Sequence, residues 1–574
     1  MPDDPEDFND EFDTETFGPS NSSSSSPSSG LGGAFTTRGG SRPEIEIRVG
    51  EMQRGVDETE AALIAAQPSS PVEKKVFRRG DQIVSIAIDK APDHRGRIVE
   101  SQVIVEVREH ALAERMGIAA RFLKYDGRMR GGGGLKQIDP PKDVVNTLIE
   151  RGYSLKLPIL VGVVNCPQLM VNGRILDKPG YDAQTGMFFD PRGATFLAVA
   201  ESPTLADALI AKDRLLVLFH TFDFKSDTDR AVAMSLILTR LARLAMATAP
   251  LHAFDAPVAG SGKSMIVDIA AILATGETAP VFAQGPHLEE FEKRLSVQLM
   301  AGRQIIAIDN INNELDGDLL NQSLTQLRVD VRILGLSKKV TVQCSTVTTA
   351  TGNNLRLVGD LTRRAVIARL DPETDRPEIR QFDYDPLTDA RENRAELVAA
   401  ALTILKAYCV AGMPGRPPRL QGFGEWSDLV RGALMWIGLG DPAATQERLR
   451  ENDPKLTRLI RVATVWREAF GARATTVAEA VAKAEEKKRV DTSWDFKTEP
   501  RNADLNDAFM AVARRGAAIN PDVLGKYLSS EAERVVALET GTKVRLQKEG
   551  MRQGVALWTL AVISAGAGED QVRF

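Results

Sequence analysis

The sequence predicts an α/β fold at the centre of a chain of several domains, and three stretches predict it. A short apolar run, Leu251 to Phe254, leads into Ala256-Pro257-Val258-Ala259-Gly260-Ser261-Gly262-Lys263-Ser264. Met265 to Ala274 follows, apolar at helical spacing and closed by Thr275-Gly276. The order is therefore strand, glycine-rich loop, helix. Further on, Gln304-Ile305-Ile306-Ala307-Ile308-Asp309-Asn310 is an apolar run ending in an acid. Cys344 to Ala350 is a β-branched run ending in Thr351-Gly352-Asn353-Asn354.

That context suits a loop that cradles phosphates. Glycines let backbone N–H groups turn inward, and the helix N-terminus adds free donors and partial positive charge. Lys263 can then reach the β- and γ-phosphates of ATP, with the Ser264 hydroxyl on Mg²⁺. Residues 257–264 are the expected ATP contacts. The usual pattern begins with glycine where this chain has Pro257, whose fixed φ denies it a left-handed turn. The loop must enter by another backbone path.

Composition bounds the rest. With 574 residues the chain is too long for one core, and two to four domains are expected. It is 43% hydrophobic and 26% charged, with formal net charge −6, so nucleic-acid binding needs local basic patches. Cys166, Cys344 and Cys409 form no C-x-x-C and suit a reducing compartment. The five histidines are scattered, which predicts no zinc site. No apolar run approaches membrane-spanning length and the acidic, Ser-rich start is not a signal peptide. A cytoplasmic protein without a membrane partner is expected.

Residues 1–43 should be a disordered acidic and serine-rich tail. Residues 44–215 read as a mixed α+β domain: an alternating strand at Glu44 to Val49, a helix at Glu58 to Ala66, a hairpin at Val76 to Ile86 and a helix at Lys142 to Arg151. The basic segment Arg121, Lys124, Arg128, Arg130 and Lys136, with Gly131 to Gly134, is either a loop touching a phosphate backbone or a solvated loop.

Residues 216–385 carry the α/β pattern. Arg230 to Ala247 is a helix, Pro280 to Ala283 a strand and His287 to Met300 a helix. A buried strand beside the phosphate-loop strand brings Asp309 to the Mg²⁺ shell. Asn310 stands where many such ATPases have an acid that activates water. Either a neighbour such as Glu314 or Asp316 supplies the base, or Asn310 only orients the water, or hydrolysis is slow. Leu319 to Val329 reads as a helix and Val331 to Val342 as a hairpin carrying Lys338 and Lys339. Asn353, at a strand's C-terminal end where α/β ligands sit, is placed to sense the γ-phosphate or hold water. Gly359-Asp360-Leu361-Thr362-Arg363-Arg364 precedes a last strand, Ala365 to Leu370.

This ordered set of motifs resembles the AAA+ ATPase module of phage- and plasmid-type superfamily 3 helicases, the ATPase part of phage primase-helicases. The likeness covers about 216–385 well and the flanks loosely. It implies an AAA+ P-loop domain forming a ring, commonly a hexamer, in the host-cell cytoplasm. It also implies Arg363 or Arg364 as an arginine finger reaching a neighbour's ATP, and Lys338 and Lys339 on single-stranded DNA. A surface ion pair and a solvated turn are the bland alternatives. The Pro257 and Asn310 departures put turnover in question more than binding.

Residues 386–501 read as a helical region ending in a charged linker, Glu485 to Arg501. Residues 502–574 read as two helices and a hairpin, a winged-helix-like unit with local positive charge that either binds DNA or is a protein-docking or purely structural module. No primase signature is visible, so a separate primase or polymerase is the expected partner. The leading expectation is an ATP-dependent DNA helicase or translocase of phage or mobile-element replication, acting on single-stranded or forked DNA. A nucleotide-switched DNA-binding or loading scaffold with little hydrolysis is the rival. A small-molecule phosphotransferase is a second rival, disfavoured by Asn353, the arginine pair and the basic C-terminus.

Overall fold

A computed structural model of the chain describes residues 42–92, 98–129, 133–332, 339–374, 376–379, 383–451, 453–492 and 495–564. The chain divides into two units, 1–43 and 44–574. Nearly all of the first, together with Arg130, Gly131, Gly132 and Lys338, lies outside the described residues.

The first part of the second unit is mixed α and β. Glu44–Glu46 pairs in parallel with Arg121–Asp126, which pairs antiparallel with Gly134–Ile138. The basic segment is thus largely strand, not loop. Helices Met52–Ala66, Glu109–Ala119 and Lys142–Glu150 cover this sheet around buried Val56, Leu112, Phe122 and Leu148. Phe77–Arg79, Gln82–Pro92 and Ile98–Glu106 make an antiparallel meander.

The centre of the unit is a parallel sheet. Its elements, in chain order, are helix α1 (Asp227–Leu241), strand β1 (Leu251–Ala256), α2 (Lys263–Thr275), β2 (Val281–Ala283), α3 (Leu288–Met300), β3 (Ile305–Ile311), α4 (Asp318–Thr325), β4 (Arg328–Arg332), β5 (Lys339–Gln343), β6 (Val347–Asn353) and β7 (Ala365–Arg369). The five sheet strands run β2-β3-β6-β1-β7, all parallel. β1 is buried along its whole length, as parallel strands covered on both faces are. The Asp309 strand is therefore not, as expected, beside the strand that leads into the glycine-rich loop; β6, carrying Asn353, lies between them. β4 and β5 form a separate antiparallel ribbon. The predicted helix Leu319 to Val329 stops at Thr325, because Val329 and Val331 alternate with polar residues as a strand and bury their side chains.

Two buried polar groups tie the layers. Asp229 on α1 is fully buried, accepting from the Arg369 N–H at 2.8 Å and from Arg448 at 2.5 Å. His252 on β1 is fully buried with Nε2 2.9 Å from the Ser235 hydroxyl. Helix α5 (Arg394–Val410) follows, and then a helical stretch in which Ser427–Arg431 forms a π turn. Trp426 and Trp466 are fully buried, whereas Trp436 is half-buried.

The last core begins earlier than residue 502. Helix α6 (Pro454–Phe470) packs Leu459, Val462 and Trp466 against Phe509, Leu524 and Trp558. Its sheet has four strands, in the order Thr475–Thr476, Val555–Ser564, Lys543–Arg552 and Val535–Ala537. The expected charged linker contains a paired hairpin, Lys487–Thr492 with Asp495–Pro500. Lys455 and Arg458 of α6 hold Asp316 at 2.8 Å and Glu314 at 3.4 Å, on the loop that follows β3. Among the described residues no helix is long and apolar enough to cross a membrane.

Candidate nucleotide site

The glycine-rich loop joins β1 to α2, and its left-handed turns fall at Gly260 (φ 74°) and Gly262 (φ 88°). Pro257 is not asked for one, which is how the chain accommodates proline there. Gly262 is needed twice over, since a Cβ would also lie 2.7 Å from the Phe222 ring. Lys263 is the first residue of α2. Its Nζ donates to the Val258 carbonyl at 3.0 Å, the Ser261 hydroxyl at 2.9 Å and the Asn353 Oδ1 at 2.9 Å. Burial pushes the ammonium below its ordinary pKa, and the nearby Asp255 and Asp309 oppose that. Val258 and Ser261 shape the turn; Ala259 and Gly260 are its exposed crest.

Asn353 reaches Lys263 because β6 pairs with β1 in a register that sets Asn353 against Ala256. Ser264 Oγ lies 3.1 Å from Asp309 Oδ1. The same carboxylate oxygen accepts from the Thr351 hydroxyl and, at 2.9 Å, from the Asn310 N–H. Thr351 lies two residues before Asn353 on β6, hence on the same face. It was not a sequence candidate, and that period-2 spacing was the available signal. Lys263, Ser264, Asp309 and Asn353 are thus brought together at the C-terminal ends of β1, β3 and β6, where open α/β sheets bind ligands.

Asn310 is exposed and left-handed (φ 52°) at an irregularity in the β3–β6 pairing between Ile308 and Ile311. Asparagine tolerates that backbone better than glutamate does. Asp268, one turn after Ser264 on α2, is another residue the sequence did not single out. Burial pushes its carboxyl up, and Asp309 adds to that.

The arginine pair separates. Arg364 is largely buried and donates to the Asn321 carbonyl at 2.6 Å and the Thr325 hydroxyl at 3.1 Å at the end of α4. Arg363 is 45% exposed and held by Asp360. No hydrogen bond or ion pair among the described residues joins either arginine to Lys263, Ser264, Asp309 or Asn353. Lys339 is exposed at the start of β5, opposite Arg332.

No family model matches the sequence, and no curated protein matches it. Solved structures of the NrS-1 C-terminal region are similar at 9% identity. One covers 75% of this chain and 92% of its own with a TM-score of 0.33, and another covers 87% and 98% with a TM-score of 0.36. Scores of this size do not establish a shared fold.

Proposed function

We propose that the chain is a P-loop ATPase of the AAA+ type that works as a DNA helicase or translocase in phage or mobile-element replication. The observation that carries this reading is the convergence of Lys263, Ser264, Asp309 and Asn353 on one side of the loop. In this reading residues 257–264 hold the phosphates of ATP, with backbone N–H groups and Lys263 countering their charge. Ser264 and Asp309 are hard oxygen donors 3.1 Å apart, which suits Mg²⁺. When bound, that ion neutralises charge on the phosphates. Asn353 orients Lys263 and faces the γ-phosphate; Asn310 presents an amide to the attacking water. Arg363, with its exposed guanidinium, is the stronger candidate for reaching a neighbour's ATP in a homo-oligomeric ring, commonly a hexamer. Lys338 and Lys339 contact single-stranded DNA, and a separate primase or polymerase is the expected partner.

Steady-state ATP hydrolysis by the whole chain, with and without single-stranded DNA, tests the reading. DNA-stimulated turnover that Lys263→Ala abolishes is expected. Absence of ATP binding, or turnover unchanged in the pure variant, overturns it. Asn310 favours a second reading, a nucleotide-switched DNA-loading scaffold. That reading predicts ATP-dependent DNA binding with negligible turnover.

A further inference from the structure

The outward face of the β4–β5 ribbon carries Arg328, Asp330, Arg332, Lys339, Thr341 and Gln343, alternating with buried Val329, Val331, Val340 and Val342. Asp330 accepts from the Thr341 hydroxyl at 2.7 Å. Among the described residues no carboxylate pairs with the exposed Arg328. The middle of β5 meets the turn after Phe77–Arg79, where a Cβ on Gly80 would sit 3.4 Å from the Thr341 carbonyl.

Between these surfaces lies a cleft of about 240 Å³ whose polar lining is Arg78, Arg79, Tyr153, Arg328, Thr341 and Gln343, completed by the apolar run 159–161 and with no acidic side chain in its wall. Arg79 is committed to the Leu299 and Met300 carbonyls at the end of α3. Arg78 is not so committed. Its Nη1 makes only long bonds, 3.3 Å to the Gly80 carbonyl and 3.5 Å to that of Tyr153, and its Nε is buried without a hydrogen-bond partner. Tyr153 is 65% exposed.

Guanidiniums without carboxylates call for an anion, and an open aromatic face calls for something that stacks. Single-stranded nucleic acid supplies both; an acidic peptide supplies only the charge. We propose that this cleft seats a single-stranded nucleic acid, with Arg78 and Arg328 on backbone phosphates and a base on Tyr153. The inference deepens the DNA-directed reading above and rests on it.

The test is fluorescence anisotropy of a fluorescein-labelled oligo-dT with the whole chain across a salt series, alongside separate measurement of ATP binding. Arg78→Gln with Arg328→Gln should weaken binding about ten-fold and flatten the log–log salt slope by about 1.4, roughly 0.7 per phosphate contact. Tyr153→Ala should weaken binding about ten-fold with the slope unchanged, since stacking releases no counterions. Arg328→Gln alone, at an exposed strand position, guards against misfolding, and should flatten the slope by about 0.7 with an unchanged melting temperature. Wild-type affinity and slope in these variants, no oligo-dT binding by the wild type, or competition by poly-glutamate as strong as by unlabelled oligo-dT, overturns the cleft as a nucleic-acid seat. If oligo-dT binding depends on Arg78 while ATP does not bind, the cleft stands and the ATPase reading falls. Turnover that depends on Lys263, with oligo-dT binding indifferent to Arg78 and Arg328, has the opposite meaning.

Discussion

Lys263 Nζ donates to Asn353 Oδ1 at 2.9 Å, joining the glycine-rich loop to the tip of the neighbouring strand. The two should therefore fail differently. Lys263→Ala removes the cation itself and is expected to abolish ATP binding or turnover. Asn353→Ala leaves the cation but frees it from one of three oxygen partners. Turnover should fall by tenfold or more, about 1.4 kcal/mol in the barrier, with nucleotide binding weakened less. Fluorescent-nucleotide titration beside steady-state turnover checks both.

Asn310 combines an amide with a left-handed backbone, and two substitutions separate these. Asn310→Gly keeps the backbone at no steric cost and deletes the amide. Asn310→Glu supplies a carboxylate but strains the turn by about 1 kcal/mol. If the amide orients water, both should lower turnover with ATP affinity retained. A rise in Asn310→Glu would show instead that the site lacks only a base.

For the arginines, Arg364→Ala should cost about 1–3 kcal/mol of stability, because it strips partners from the end of α4 and from Asp360. Arg363→Ala should leave the melting temperature alone and reduce turnover. Mixing Arg363→Ala with Lys263→Ala should restore activity, since interfaces pairing an intact loop with an intact Arg363 complete a site. If the two variants co-assemble by size measurement and the mixture stays inactive, Arg363 does not act in trans.

Burial pushes the His252 imidazole down to about 3 from 6.5. Between those values the unfolded chain takes a proton that the folded chain refuses. The stabilisation is thus fully present above about pH 6.5 and is lost at about 1.4 kcal/mol per pH unit as pH falls toward 3. Between pH 7 and 5.5 the wild type should lose roughly 1 kcal/mol more than His252→Gln by denaturant titration. Equal losses would mean that the folded imidazole takes up protons freely.

Asp229 is fully buried against Arg448 and the Arg369 N–H. Asp229→Asn preserves shape but replaces the carboxylate that accepts from Arg448 and the Arg369 N–H with a neutral amide. About 1–3 kcal/mol of destabilisation is expected, since Asp229 is fully buried but Arg448 keeps contact with solvent, read as a lowered melting temperature. A variant as stable as the wild type would show that Arg448 finds water instead.

The strand, loop and helix around Lys263 were legible because apolar period and glycine placement are local properties. Asp309 and Asn353 were legible as polar ends of apolar runs. Strand order was not: nothing within Ile305–Ile311 says that β6, and not β1, lies beside it. Thr351's grip on Asp309 depends on that pairing and was hidden with it. Arg363 and Arg364 look equivalent in sequence; the Asn321 carbonyl and the Thr325 hydroxyl of α4, which bind Arg364, distinguish them. The hairpin Lys487–Thr492 with Asp495–Pro500 was concealed by its charge. Helix α6 was recognised as a helix, but its core partners lie 40 to 100 residues downstream, beyond the reach of local pattern.

Lys455–Asp316 and Arg458–Glu314 bind the last core to the loop that emerges from the Asp309 strand. Both pairs are about one-third exposed, so each contributes roughly 0.2–1 kcal/mol. That sets an upper scale of about 2 kcal/mol on any linkage carried by these pairs alone. Linkage is reciprocal: whatever fraction of it a ligand at Asp309 draws on to loosen α6, a load that lifts α6 away must return as an equal change in that ligand's affinity. If a nucleotide binds at Asp309 as proposed, these two ion pairs give it at most a graded coupling to the C-terminal end, too weak for an all-or-none switch.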